Sequence, residues 1–192
     1  MALLNVDFHS YYLGMDSPLT VLLPEKRGRK PEAAPDKKYP VLYLLHGHAD
    51  DNTAWIRKSD LELLVRDHDV IVVMPSAHRS FYTNGKYGHL YFDYITKELP
   101  IVVSNFFPAS TRREDTFIGG LSMGGYGALK AALSCPEQYA CVAAISAANS
   151  PFEAMKAAGT MFSVSDFMDN VYRIFGDEEE YKGAKDDLEY LS

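Results

Sequence analysis

Apolar residues along this chain gather in short dense runs separated by polar segments with helical spacing. Residues 41–45 (VLYLL) and 70–74 (VIVVM) are continuous apolar runs, the pattern of strands buried on both faces. Residues 116–119 (TFIG) predict a further strand, and residues 141–146 (CVAAIS) another buried one. Residues 3–8 (LLNVDF) and 19–23 (LTVLL) are short and rich in strand formers, and predict an opening antiparallel pair. Between these runs the spacing changes. Residues 55–67 carry apolar side chains at Trp55, Ile56, Leu61, Leu64 and Val65, which predicts a helix. Residues 91–107 predict a second helix with Pro100 as a kink, and the Ala- and Leu-rich stretch 124–134 a third, closed by Pro136. Residues 76–88, rich in Tyr, His, Asn and Gly, predict a loop; from 150 onward the pattern is helical and irregular. Strands alternating with helices predict an α/β fold, with a mainly parallel central sheet and helices on both faces.

Composition narrows the class. A chain of 192 residues suits one domain at about 150 residues per domain. Apolar residues at 47% and charged residues at 23% are ordinary for a soluble globular protein and exclude disordered and collagen-like classes. No apolar run approaches the ~18 residues of a membrane span. The N-terminal MALLNVDFHS lacks the basic region and long apolar core of a signal peptide, so a cytoplasmic location is expected. Cys135 and Cys141 cannot form a disulfide framework or a zinc ribbon, and both are expected to be buried apolar residues. A net charge of −7 argues against a nucleic-acid partner. The acids concentrate in residues 177–190, where seven oppose Lys182 and Lys185, which reads as a solvated helix. Residues 25–38, basic and containing Gly28, Pro31 and Pro35, read as an exposed connection. No internal repeat is present.

The chemistry concentrates at residues 116–127, TFIGGLSMGGYG. Gly120-Leu-Ser122-Met-Gly124 fits G-x-S-x-G, with an apolar strand before it and a small-residue helix after it. A serine on such a tight strand-to-helix turn has a strained backbone, and flanking glycines let the two elements approach. Its hydroxyl then stands free at the carboxyl end of the sheet, where the helix N-terminus presents unpaired N–H groups to a developing oxyanion. Acyl transfer needs two such donors. Met123, next to the nucleophile, supplies one; the loop after an earlier strand supplies the other. His46-Gly47-His48 follows the 41–45 run, which puts the His48 N–H in that role and His46 in support of the turn.

The stretches VLYLLHGHADDNTAW, VIVVMPSAHRSFYTNGKYG, YITKELP and TFIGGLSMGGYGALKAAL, in that order, resemble the esterase D and tributyrin esterase family of α/β-hydrolases, related to S-formylglutathione hydrolases and feruloyl esterases. The resemblance covers most of residues 3–150. It implies the α/β-hydrolase fold and a serine carboxylesterase that cleaves short-chain acyl esters through an acyl-enzyme on Ser122. The implied partner is a small-molecule ester, with self-association into a homo-oligomer compatible, and neither a cofactor nor a metal is implied. It assigns the oxyanion amides to Met123 and His48, and places Gly47, Tyr82, Asn84 and Tyr87 at the substrate pocket.

The chain departs from that family in one respect. In this fold the triad runs Ser, then acid, then His. All six histidines (His9, His46, His48, His68, His78 and His89) precede Ser122. Asp166, Asp169 and Asp177 follow it, within helical sequence resembling a cap insertion over about 150–192. The expectation is a single hydrolase domain lacking its C-terminal strands, with the catalytic Asp and His beyond Ser192. Two more strands with their connections would add roughly 50–80 residues.

Two rival readings are kept. His46-x-His48-x-Asp50 resembles the start of a zinc-hydrolase motif, H-x-H-x-D-H, although Asp51 stands where that motif has its next histidine. Alternatively, the absent histidine fits a catalytically inactive α/β-hydrolase-fold binding module.

Overall fold

A computed structural model of the chain describes residues 1–25, 36–158 and 164–192. Six strands form one sheet in the order β1-β2-β4-β3-β5-β6: β1 (Ala2–Ser10), β2 (Met15–Leu23), β3 (Val41–Leu45), β4 (Ile71–Pro75), β5 (Thr116–Leu121) and β6 (Cys141–Ile145). β1 and β2 form an antiparallel hairpin, and β2 lies antiparallel to β4. β3 to β6 run parallel. This is the mainly parallel sheet of the sequence reading. Most of the basic connection, residues 26–35, lies outside the described residues.

The continuous apolar runs are explained by burial on two faces. Val41, Tyr43 and Leu45 of β3 point into the larger core, whereas Leu44, with Leu42 packed beside it, belongs to a second cluster with Leu22, Val72 and Met74. Helices cover both. The smaller cluster is capped by α1 (Ala54–Lys58) and α2 (Leu61–Val65) through Trp55, Ile56, Leu61 and Val65. The larger packs against α4 (Leu99–Phe106) and α5 (Met123–Ser134).

Several expectations are corrected. The predicted 55–67 helix is two short helices broken at Ser59 and Asp60, with the Trp55 indole N–H donating to Leu45 O at 3.1 Å. The 91–107 helix is not one continuous α-helix. It runs from α3 (Tyr91–Asp93) through a π turn over Tyr94–Glu98 into α4, and Leu99 N–H bonds back to Tyr94 O. The wider turn comes before Pro100, which sits in the first turn of α4, where a missing N–H costs little. Strand β6 forms as expected but lies at the sheet edge and is mostly exposed. Cys141 is therefore exposed and Cys135 half-buried, not the buried pair that composition suggested.

The acidic C-terminal stretch is not a solvated helix. After α6 (Pro151–Ala158) and α7 (Val164–Phe175) it forms α8 (Glu178–Tyr181), opened by an Asp177–Glu180 capping box, and α9 (Leu188–Leu191). Tyr181 and Leu188 enter the large core. Asp186 reaches the ammonium of Lys130 on α5, which is 3% exposed, and its backbone carbonyl accepts from Tyr126 OH at 2.5 Å. Lys130 also donates to Thr83 Oγ1 at 2.9 Å. Burial holds the Lys130 pKa below its ordinary value, against the opposing pull of Asp186.

This buried pair predicts an asymmetry. Asp186→Asn removes the counter-charge of a buried ammonium and is expected to cost about 3–5 kcal/mol, whereas the double change Lys130→Met with Asp186→Leu is expected to cost far less. Urea unfolding of the three proteins tests this; equal losses for the single and double variants would exclude the charge explanation.

Candidate active site

The order of the parallel strands locates the site. From β3 the chain moves to β4 on one side, then crosses back to β5 on the other. Ligands of open parallel sheets bind outside the carboxyl ends of the strands where the winding reverses, here between β3 and β5. The residues following those two ends are His46-Gly47-His48 and Ser122.

Ser122 joins β5 to α5 with φ +56° and ψ −116°. A side-chain-bearing residue held at positive φ carries strain of order 1–3 kcal/mol, so the surroundings must impose it. They do so through hydrogen bonds on both sides. Ser122 N–H donates to Ile145 O at 2.9 Å, and Ser122 O accepts from Tyr126 N–H at 3.0 Å and Ala148 N–H at 3.2 Å. The close approach needs glycine. A Cβ at Gly124 would lie 2.4 Å from Leu45 O, and one at Gly120 would lie 2.3 Å from Gly124 O. The end of β3 and the start of α5 are thus in backbone contact. Gly47 is turned toward the same point: a Cβ there would stand 3.9 Å from Ser122 Cβ.

Among the described residues, the N–H groups of Met123 and His48 have no protein acceptor. For Met123 this follows from its place in the first turn of α5, where N–H groups have no intrahelical partner. The arrangement offers two unpaired donors beside a serine hydroxyl, the requirement for holding an oxyanion. No described histidine hydrogen-bonds that hydroxyl.

His46 is 1% exposed and fully engaged. Its Nδ1–H donates to Gly47 O at 2.7 Å, and its Nε2 accepts from Ala77 N–H at 2.9 Å. The ring is therefore neutral in one tautomer, and burial holds its pKa below the ordinary value. Tyr82 completes the support: its hydroxyl donates to His46 O at 2.9 Å. His48 is half-buried. Its Nε2 accepts from Arg79 Nε at 3.3 Å, with Asn170 Nδ2 at 3.4 Å, and its ring packs edge-on to Phe167. Burial, then the Arg79 charge, push its pKa down to about 4.

These bonds bear on the zinc reading. Both His46 nitrogens are taken, Asp50 pairs with Lys58, and no group of three His, Cys, Asp or Glu side chains among the described residues is placed to hold a metal ion. The triplet 46, 48 and 50 does not converge on one point.

A cavity of about 610 Å³ adjoins His48 and Asp50. Tyr87 lines it; Tyr82 and Asn84 do not. The Tyr82 ring lies in the large core against Gly127, and Asn84 Oδ1 accepts from Asp93 N–H at 3.1 Å at the start of the 91–106 helix. Ser122 is not among the lining residues either. A smaller cleft of about 80 Å³ touches Gly47 and Leu121, its immediate neighbours. The large cavity also has walls that the motif reading missed: Arg79 from the 76–88 loop, and Asn170 and Arg173 from α7. α7 docks through bonds from Arg79 Nη2 to Asp166 O at 3.2 Å and from Asn170 Nδ2 to Arg79 O at 2.7 Å. No local motif marks such residues.

Comparison with known proteins identifies the family of the chain. The family described as "Putative esterase" matches residues 10–181. An acetyl esterase of Caldicellulosiruptor saccharolyticus is 33% identical over 158 residues, 77% of this chain and 57% of that protein, so the chain spans little more than half of that curated relative. Among solved structures, the Staphylococcus aureus fluorophosphonate-binding serine hydrolase FphF superposes with a TM-score of 0.84 at 35% identity, covering 99% of this chain and 71% of that one. The S-formylglutathione hydrolase FrmB of the same organism gives 0.79 at 34% identity, covering 99% and 72%.

Two histidines with lowered pKa values, His46 buried and His48 half-buried, predict an acid-sensitive fold. The unfolded chain binds protons near pH 6.5, whereas the native state resists protonation down to about 4 at His48 and below the ordinary value at His46. Between those limits the unfolded state holds more protons, so stability is full above pH 6.5 and falls as pH drops through the window. Urea midpoints at pH 7 and pH 5 are expected to fall with acidification, and His48→Gln to reduce the slope. A midpoint independent of pH over this range would refute it.

Proposed function

The chain belongs to the esterase family, and we propose that the protein is a serine carboxylesterase acting on short-chain acyl esters through Ser122. The observation that carries this reading is the strained Ser122 turn, flanked by the unpaired amides of Met123 and His48. In this reading Ser122 Oγ attacks the ester carbonyl carbon, and the two amides hold the oxyanion. The alcohol departs with a proton, leaving an acyl-serine that water hydrolyses. Gly47 lies beside Ser122 in the oxyanion turn and borders the small cleft there. Tyr87 borders the substrate cavity, Asn84 fixes the loop that carries it, and Tyr82 holds the His46 carbonyl and so the oxyanion turn.

The proton on Ser122 Oγ needs a base. No described histidine bonds to it, so the reading takes the histidine and its acid from the intact protein outside residues 1–192. In the same reading residues 150–192 act as a cap over the site. The acetyl esterase relative supports a small acyl group.

In the intact protein, Ser122→Ala is expected to lower kcat toward p-nitrophenyl acetate by about 10⁴-fold or more. Activity is expected to decline with acyl length and to survive EDTA, and His48→Ala should retain much of it because the backbone N–H remains. A Ser122→Ala protein with most of its activity would overturn the assignment; loss on chelation restored by zinc would favour a metallohydrolase.

A further inference from the structure

The charge lining the 610 Å³ cavity runs against that of the chain. The protein carries −7 overall, yet this cavity is lined by Arg79 and Arg173 with one acid, Asp50, already paired with Lys58. Neither guanidinium has an acidic partner among the described residues. Arg79 donates to a neutral imidazole, His48, and to a backbone carbonyl, Asp166 O, so its bonds fix its position without cancelling its charge. Arg173 stands one turn beyond Asn170 on the face of α7 that lines the cavity, and Asp169, four residues before it, lies outside ion-pair distance. His78 and His89 also line the wall and add donors without negative charge.

A cavity whose lining carries a net positive charge attracts anions and concentrates them. Guanidinium groups match carboxylates in geometry as well as charge, donating two parallel N–H bonds to the two oxygens. The neighbouring Asn170 carboxamide, already tied to Arg79 O, holds the α7 wall against the loop that carries Arg79. Resting on the esterase reading, we propose that this cavity binds a carboxylate on the ester substrate, with Arg79 and Arg173 as specificity-determining residues. His48 links the two places: its ring lines the cavity while its backbone follows Gly47 beside Ser122.

Matched esters test this in the intact protein. 4-Acetoxybenzoate against its methyl ester places the carboxylate on the alcohol side; mono-4-nitrophenyl succinate against 4-nitrophenyl butyrate places it on the acyl side. For one pair the anionic ester is expected to have the higher kcat/KM. Arg173→Glu should lower that anionic-to-neutral ratio at least tenfold, and Arg173→Lys should retain most of it. Calorimetric binding of 4-hydroxybenzoate and succinate to the Ser122→Ala protein reads the cavity without hydrolysis; one should bind, and Arg173→Glu should weaken it tenfold or more. Ratios insensitive to Arg173→Glu in both pairs, or no anion binding, overturn the proposal. Failure to hydrolyse neutral p-nitrophenyl acetate would instead overturn the esterase reading alone, because anion binding is measured separately.

Discussion

The site depends on a backbone contact between two elements distant in sequence. The first turn of α5 rests against the last carbonyls of β3, so closely that a single methyl group at Gly124 would meet Leu45 O at 2.4 Å and His46 O at 2.7 Å. Because of that contact, Ser122 must turn through positive φ to leave β5 and enter the helix. Because of it too, the His46-Gly47-His48 turn lies beside the serine. The strain at Ser122 is offset by three backbone hydrogen bonds, one of them to the end of β6. The edge strand thus contributes to the site although it is poorly buried.

A second constraint keeps the oxyanion turn rigid. His46 bridges the Gly47 carbonyl and the Ala77 amide, and Tyr82 anchors the His46 carbonyl. The Ala77 bond requires a neutral ring, because a charged His46 would put a proton on Nε2 facing the Ala77 N–H. The loop that supplies Ala77 and Tyr82 has positive φ at His78, Phe81 and Tyr82, none of them glycine. Such conformations persist where surroundings over-determine them. Here the Phe81 and Tyr82 side chains are buried in the large core, which fixes the loop from below.

What could be read from the residues was whatever has a short-range signature. The 41–45 run announced a doubly buried strand because its alternate side chains enter two different cores. The G-x-S-x-G turn was legible because sterics restrict what can stand at positions 120 and 124. What failed depended on distant partners. Ser59 and Asp60 break a helix whose apolar spacing is continuous, and Tyr82, an aromatic in a polar loop, proves to be core because Gly127 leaves space for its ring. Asp186 looked like one more solvated acid in a run of seven. Its partner, Lys130, lies on another helix, and no local pattern distinguishes it.

The C-terminal helices show how such long-range pairing shapes the site. Lys130 and Tyr126 of α5 hold the segment around Asp186, while Thr83, from the cavity loop, shares the Lys130 ammonium. The helix that begins at the serine therefore also carries the loop and the C-terminal segment. Phe175, at the end of α7, packs against Phe81 and Tyr126, so the cavity wall bearing Asn170 and Arg173 is seated on the same helix. A disturbance at Lys130 would reach the cavity by repositioning its wall, whereas a disturbance at Gly124 would reach the serine directly. Changes at Lys130 and at Gly124 thus act by separable routes: one alters the shape that receives the ligand, the other the geometry of the reacting hydroxyl.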